Sequence, residues 1–182
     1  YNGADDDGSG TASVLEIAQA FSVGPPPKRS ILIIFHTGEE LGLFGSEFNT
    51  DHEPVVPLER LVATFNIDMI GRSRPEGDTD PRNRALTDKD SLYVIGADKL
   101  STELNQLSEQ TNMETVRMRF DYTYNSEKHP ERFYYRSDHY NYAKHGIPVI
   151  FYFTGVHRDY HKTTDDVEKI DFVKMERIDR MI

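Results

Sequence analysis

Two adjacent glutamates, Glu39 and Glu40, follow the apolar run Ile31-Leu32-Ile33-Ile34-Phe35 within the segment His36-Thr37-Gly38-Glu39-Glu40-Leu41-Gly42-Leu43-Phe44-Gly45-Ser46. Ionised carboxylates at the exit of a buried strand are costly unless they are solvated or matched by cations. Taken alone, the pair fits either a solvated helix start, where the dipole favours acids, or a metal site. Other parts of the chain repeat the theme. Asp5, Asp6 and Asp7 lie in a glycine-rich loop that leads into a helical pattern, Asp68 closes a second apolar run, and His157 and His161 follow a third. Strand ends on one edge of a parallel sheet converge, and open α/β sheets place their sites at the carboxyl ends of their strands. The residues alone therefore leave two readings open, a metal site built from oxygen and imidazole donors, or ordinary turn and surface positions.

The elements that must position these groups follow from periodicity. The run 31–35 is continuous rather than alternating, which predicts a central parallel strand buried on both faces. Before it, Val14, Ala18 and Phe21, with Leu15 and Ile17 beside them, have the spacing of a buried helical stripe, and Gly24 with Pro25, Pro26 and Pro27 ends that helix. Leu41 to Phe48 fits a short helix, and Leu61 to Ile70 a second strand delivering Asp68. The polar stretch from Gly71 to Asp90 has the length of a functional or mobile loop. Leu92 to Ile95 reads as a strand, Leu100, Leu104 and Leu107 as a buried helical stripe, and Thr115 to Phe120 as another strand. Ser137 is expected to cap a helix through Lys144, ended by Gly146. Ile147 to Phe153 is the last core strand, and Asp171 is expected to cap a final helix. Alternating helices and strands give an α/β fold.

Composition narrows the chemistry. The 182 residues suit one domain. With 31 Asp and Glu against 21 Lys and Arg, a net charge of -10 argues against nucleic acid and anionic membrane as partners. No cysteine is present, so any zinc must use His, Asp and Glu. No apolar run approaches membrane-spanning length. A start at Tyr1-Asn2-Gly3 reads as the interior of a longer chain.

Four ordered motifs, Gly-Ala-Asp-Asp-Asp-Gly-Ser-Gly from Gly3, Glu-Glu-Leu-Gly-Leu-Phe-Gly-Ser from Glu39, Asn-Ile-Asp-Met-Ile-Gly from Asn66, and Tyr160-His161-Lys162-Thr163-Thr164-Asp165, resemble the M28 family of co-catalytic zinc aminopeptidases. The resemblance implies a three-layer α/β/α fold with a mostly parallel central sheet, zinc-exopeptidase-like. Residues 1–182 would be a single catalytic peptidase domain, cut at its N-terminus and at its C-terminus. It implies that Asp6 bridges two Zn²⁺ ions, that Glu40 and His161 bind one of them and Asp68 the other, and that Glu39 is the general base towards a zinc-activated water. Tyr160 matches a tyrosine that in some members holds the developing oxyanion. It further implies a cis bond between Asp6 and Asp7.

The family also uses a histidine upstream of the Asp6 motif, which this chain does not contain. Two zinc ions are therefore expected in the complete enzyme and one or fewer in residues 1–182. His157 is assigned a structural or substrate-facing role in preference to that of a substitute ligand. His36, His139 and His145 are assigned to packing or surface, and His52 and His129 to exposed loops. Arg136 is a candidate substrate contact and Asp138 a candidate acceptor behind the ligands. The aromatic segment Tyr122 to Tyr135 either lines a pocket for the substrate's first side chain or packs over the sheet edge. The resulting expectation is a metallo-aminopeptidase acting on peptide substrates, secreted or periplasmic by resemblance. The alternatives are a glutaminyl cyclase of the related single-zinc type and a noncatalytic ectodomain that binds a partner.

Overall fold

The computed structural model describes residues 2–182. Its helices are α1 (Gly8–Val23), α2 (Phe44–Glu47), α3 (Thr102–Glu114), α4 (His139–Ala143) and α5 (Phe172–Met181), and its strands are β1 (Thr64–Ile67), β2 (Ser91–Ile95), β3 (Arg119–Asp121) and β4 (Val149–Phe153). The strands form one sheet in the order β1-β4-β2-β3. β1 runs parallel to β4 and β2 parallel to β3, while β2 and β4 are antiparallel. The architecture is the expected α/β class with a mostly parallel sheet.

β4 is the centre of the molecule because both of its faces are apolar and every one of its residues is buried. Successive side chains of a strand point to opposite faces. Val149, Phe151 and Phe153 enter one core with Tyr93, Ile95, Tyr124, Phe133 and Tyr142. Ile150 and Tyr152 enter the other with Leu92, Val94, Met175 and Ile178. Two cores on two faces give the three layers, with α5 closing the second.

Several expected elements differ. The run Ile31–Phe35 is not a strand, and Ile31, Leu32, Ile33 and Phe35 are exposed. A strand needs a ladder partner. No strand among the described residues pairs with this run, and a cleft of about 440 Å³ is lined by Ile34, Phe35 and His36 on one side and Phe65 to Asp68 on the other. The stripe of α1 is also only partly covered, since Phe21 is exposed and the buried residues are Ser9, Gly10 and Ser13. In α3 the buried positions are Ser108 and Asn112, whereas Leu100 and Leu107 are exposed. Of the expected leucines Leu104 packs, partly buried, against the second core, and polar contacts take the place of the other two. Ser108 Oγ bonds the Tyr152 hydroxyl at 2.9 Å, and Asn112 bonds both the carbonyl and the amide of Met118 at 2.8 Å.

The polar stretch after Gly71 is strapped down rather than loose. Thr87 N donates to Thr154 O at 2.8 Å and Arg74 N to Thr87 O at 2.7 Å. From α5, whose first turn Asp171 caps through Lys174 N, the buried Lys174 ammonium donates to Arg72 O, Thr87 Oγ1 and Asp88 O. This fixes Arg72, whose guanidinium bears on the site below. No helix among the described residues is long and apolar enough to cross a membrane.

Where α5 meets α1, the half-buried Asp179 carboxyl meets the buried Ser13 hydroxyl. Burial pushes the Asp179 carboxyl up to about 6 against the pull of Ser13. Its folded value lies above its unfolded one, so the native state holds a proton that the unfolded chain has released between about pH 4 and pH 6. Its contribution to stability is therefore lost as pH rises through that window. We expect Asp179→Asn to unfold at higher urea at pH 8, by roughly 1 to 2 kcal/mol after allowing for partial solvent screening, and to match the native chain near pH 4. Equal stability at pH 8 would contradict this.

Candidate metal centre

The site begins with the loop before α1, which is fastened to the segment leaving β1 by three consecutive backbone amides. Met69 N donates to Asp7 Oδ1 at 3.1 Å, Ile70 N to Ser9 Oγ at 3.1 Å, and Gly71 N to Asp5 Oδ1 at 2.7 Å. Asp7 also caps α1 by accepting from Gly10 N at 2.9 Å. Gly10 is needed here, since a Cβ would lie 2.3 Å from Ile67 O. On the opposite side, Asp5 N and Asp6 N donate to Asp165 Oδ2 at 2.9 and 3.2 Å. Asp165 is in turn 3.5 Å from the Arg72 guanidinium, which also meets Asp159 at 3.1 Å. Asp6 is thus held by its backbone, leaving its carboxylate to face the site. The Asp6–Asp7 peptide bond is cis, as the sequence motif implied.

The other carboxylates arrive on short turns. Gly38, at φ +70°, starts a single 3-10 turn Glu39–Leu41 that separates the two neighbouring side chains. His161, itself at φ +57°, brings Nε2 to 3.1 Å from Asp6 Oδ2 and 3.1 Å from Glu40 Oε2. Donor atoms of Asp6, Glu40 and His161 all lie within 4.8 Å of one another. Asp6 Oδ2 is shut off from water and receives no hydrogen bond. One donor atom from each of the three side chains thus converges on the same place, and two carboxylate oxygens with an imidazole nitrogen form a donor set that zinc accepts. The donor set fits the metal.

Asp68 lies outside that triad. It lines the same clefts as Asp6, Glu39 and Glu40. Its Oδ2 accepts from Ser137 Oγ at 2.7 Å, which itself accepts from Asn66 Nδ2 at 2.8 Å. Ser137 was expected to cap α4. Its hydroxyl instead supports Asp68, and α4 starts without a side-chain cap. Nothing in the helix-start pattern distinguished the two uses.

Crowding of like charges marks the electrostatics. Burial raises Asp6, partly countered by His161. Burial, with Asp68 beside it, raises Asp7 well above the carboxylate range, and Asp68 is raised in the same way against the pull of Ser137. Burial followed by Asp138 and Asp6 lifts Glu39 to about 7. Tyr160, whose ring stacks on His161 at 3.7 Å, is pushed up to about 12 by burial, and Arg136 approaches its hydroxyl at 3.3 Å.

The remaining histidines hold structural positions. His36 bonds the Tyr142 hydroxyl at 3.0 Å and His145 pairs with Asp51. His139 is fully buried against Phe151, which drives its ring down to about 3. His157 is buried with its Nε2 3.1 Å from Asp5 Oδ2 and is not among the clustered donor atoms of Asp6, Glu40 and His161, in keeping with a structural role. Of the aromatic segment, only Phe133 lines the slot beside the site; Tyr122 and Tyr135 border a separate surface hollow. Sequence reasoning located Asp5 in the aspartate loop and Asp165 at the end of the Tyr160 motif but assigned neither a role, and it found no site role for Arg72.

Residues 1–182 match the sequence profile of peptidase family M28. The chain belongs to this family. A leupeptin-inactivating enzyme 1 of Streptomyces exfoliatus is 30% identical over 171 residues, which is 92% of this M28 chain and 32% of that protein. Aminopeptidase YwaD of Bacillus subtilis is 44% identical over 71 residues, 39% of this chain and 15% of its own length. Among solved structures, the zinc aminopeptidase BSAP of Bacillus subtilis superposes with a TM-score of 0.76 at 26% identity, covering 98% of this chain and 40% of that one. This M28 chain therefore spans less than half the length of each of these proteins.

Proposed function

We propose that this M28 chain carries the catalytic centre of a zinc-dependent aminopeptidase, hydrolysing the N-terminal peptide bond of peptides. The observation that carries the reading is the triad of Asp6, Glu40 and His161, with a buried Asp6 oxygen lacking a hydrogen bond and Glu39 immediately beside it. Its family membership and its likeness to proteins named aminopeptidases support the same activity. Asp6, Glu40 and His161 would hold one ion, and Asp68 would contribute to holding a second. Bound there, zinc supplies a Lewis acid for the scissile carbonyl and lowers the pKa of a water to about 7.

Glu39 is the proton carrier. Its half-buried carboxyl, beside the ligands, takes the proton of the attacking water and returns it to the leaving amine. Tyr160 stays protonated at working pH, so its hydroxyl can donate to the developing oxyanion. Arg136, against that hydroxyl and over the Phe133 ring at 4.6 Å, steadies the donor. The slot beside the site, about 30 Å³, is lined by Met69, Phe133, Phe151, Phe153 and Val156 at one end and by Asp6, Glu39, Glu40, Asp68, Arg136 and Tyr160 at the other. On this reading its apolar residues receive the substrate's first side chain, and a charged one would have to leave water to sit among them.

The test uses aminoacyl nitroanilides with the zinc-loaded protein, alongside a peptide beginning with glutamine. Alanyl and leucyl substrates should be hydrolysed at least about tenfold more efficiently than lysyl or glutamyl ones. Cyclisation of the glutamine peptide without release of nitroaniline would overturn the reading. Glu39→Gln should retain zinc and lose about a hundred- to ten-thousandfold in turnover. Unchanged turnover would remove Glu39 from its role.

A further inference from the structure

The Asp5–His157 pair lies outside the ligand triad yet joins two of the three segments that supply it. Both side chains are fully shut off from solvent, with Asp5 Oδ2 3.1 Å from His157 Nε2. Asp5 Oδ1 already accepts from Gly71 N at 2.7 Å and Ser9 Oγ at 3.0 Å. An ionised carboxylate only accepts, so the proton of this contact sits on His157 Nε2. The other ring nitrogen, Nδ1, is buried and has no partner. An unpaired buried polar atom costs stability, so an apolar residue would serve better if filling space were the whole task.

Sequence position shows what the contact does. Asp5 directly precedes Asp6, and His157 stands four residues before His161, with Tyr160 N donating to His157 O at 3.0 Å to close the intervening turn. Four residues beyond His161, Asp165 binds the amides of Asp5 and Asp6. His161 is therefore bracketed by two attachments to the same aspartate turn, one through the His157 side chain and one through Asp165.

On the zinc reading given above, we propose that His157 is a positioning residue of the metal centre: its bond to Asp5 clamps the His161 loop to the Asp6 loop and sets the spacing of two zinc ligands before the ion binds. A residue that merely filled the core would affect folding alone. The clamp instead predicts an effect on zinc affinity that depends on where a hydrogen-bond donor is placed.

Zinc affinity of the folded protein is measured by competition with a chromogenic chelator, for the native chain and for His157→Leu, His157→Gln and His157→Asn. Circular dichroism and unfolding in chelator establish that each variant is folded at the working temperature. Leu should weaken zinc about 10- to 100-fold, as loss of outer supports does at metal sites. Gln, whose amide nitrogen reaches the place of Nε2, should bind zinc like the native chain, and Asn, which stops short, should resemble Leu. Native affinity in a folded Leu variant overturns the clamp. If the Leu variant does not fold, equal zinc affinity in Gln and Asn overturns it instead. A native chain that binds no zinc overturns the metal reading itself, whereas tight native binding with indifferent variants removes only the clamp.

Discussion

Carboxylates brought together against their mutual repulsion are the constraint on which this structure turns. Asp6, Asp7, Glu39, Asp68 and Asp138 all have their carboxyls raised by burial, and each except Asp138 is pushed further by a neighbouring acid. Such a cluster opposes folding unless something holds its members in place. Backbone amides do so here. Met69, Ile70 and Gly71 tie down Asp7, Ser9 and Asp5, and the amides of Asp5 and Asp6 are tied to Asp165. Arg72 stands behind Asp165 and Asp159, and Lys174 pins the carbonyl of Arg72. The cationic support lies one layer away from the triad, so the ligand oxygens are positioned without being neutralised.

That separation makes the chemistry available. Had Arg72 reached Asp6 directly, it would have competed with a metal for the same oxygens. Instead the buried oxygen of Asp6 and an oxygen of Glu40 converge on the His161 ring nitrogen, with Glu39 preceding Glu40 in the same 3-10 turn. Adjacent residues in sequence thus acquire separate tasks, one as ligand and one as proton carrier.

Much of this was legible in the residues. The Gly-Ala-Asp-Asp-Asp loop, the glutamate pair, Asp68 and the Tyr160-His161 segment could be located because strand ends converge and because the motifs resemble a family. Strands with buried neighbours on both sides, such as β4, were equally plain. The run 31–35 was misread because hydrophobicity signals where a strand is favoured, whereas a strand forms only where a partner supplies its hydrogen bonds. α3 hid its buried face because Ser108 and Asn112 bury polar groups whose partners, Tyr152 and Met118, are distant in sequence or follow a turn. Ser137 and His157 were misplaced or left open for the same reason, since their roles are defined by contacts with Asp68 and Asp5 that no local pattern encodes.

The central claim is that Asp6, Glu40 and His161 together hold zinc. Diffraction from crystals of the zinc-loaded chain, recorded on either side of the zinc absorption edge, tests it most directly. The account predicts an anomalous peak roughly 2.0 to 2.2 Å from a carboxylate oxygen of Asp6, a carboxylate oxygen of Glu40 and the Nε2 of His161. A peak bound elsewhere, or zinc-loaded crystals with no peak between these three side chains, would contradict it.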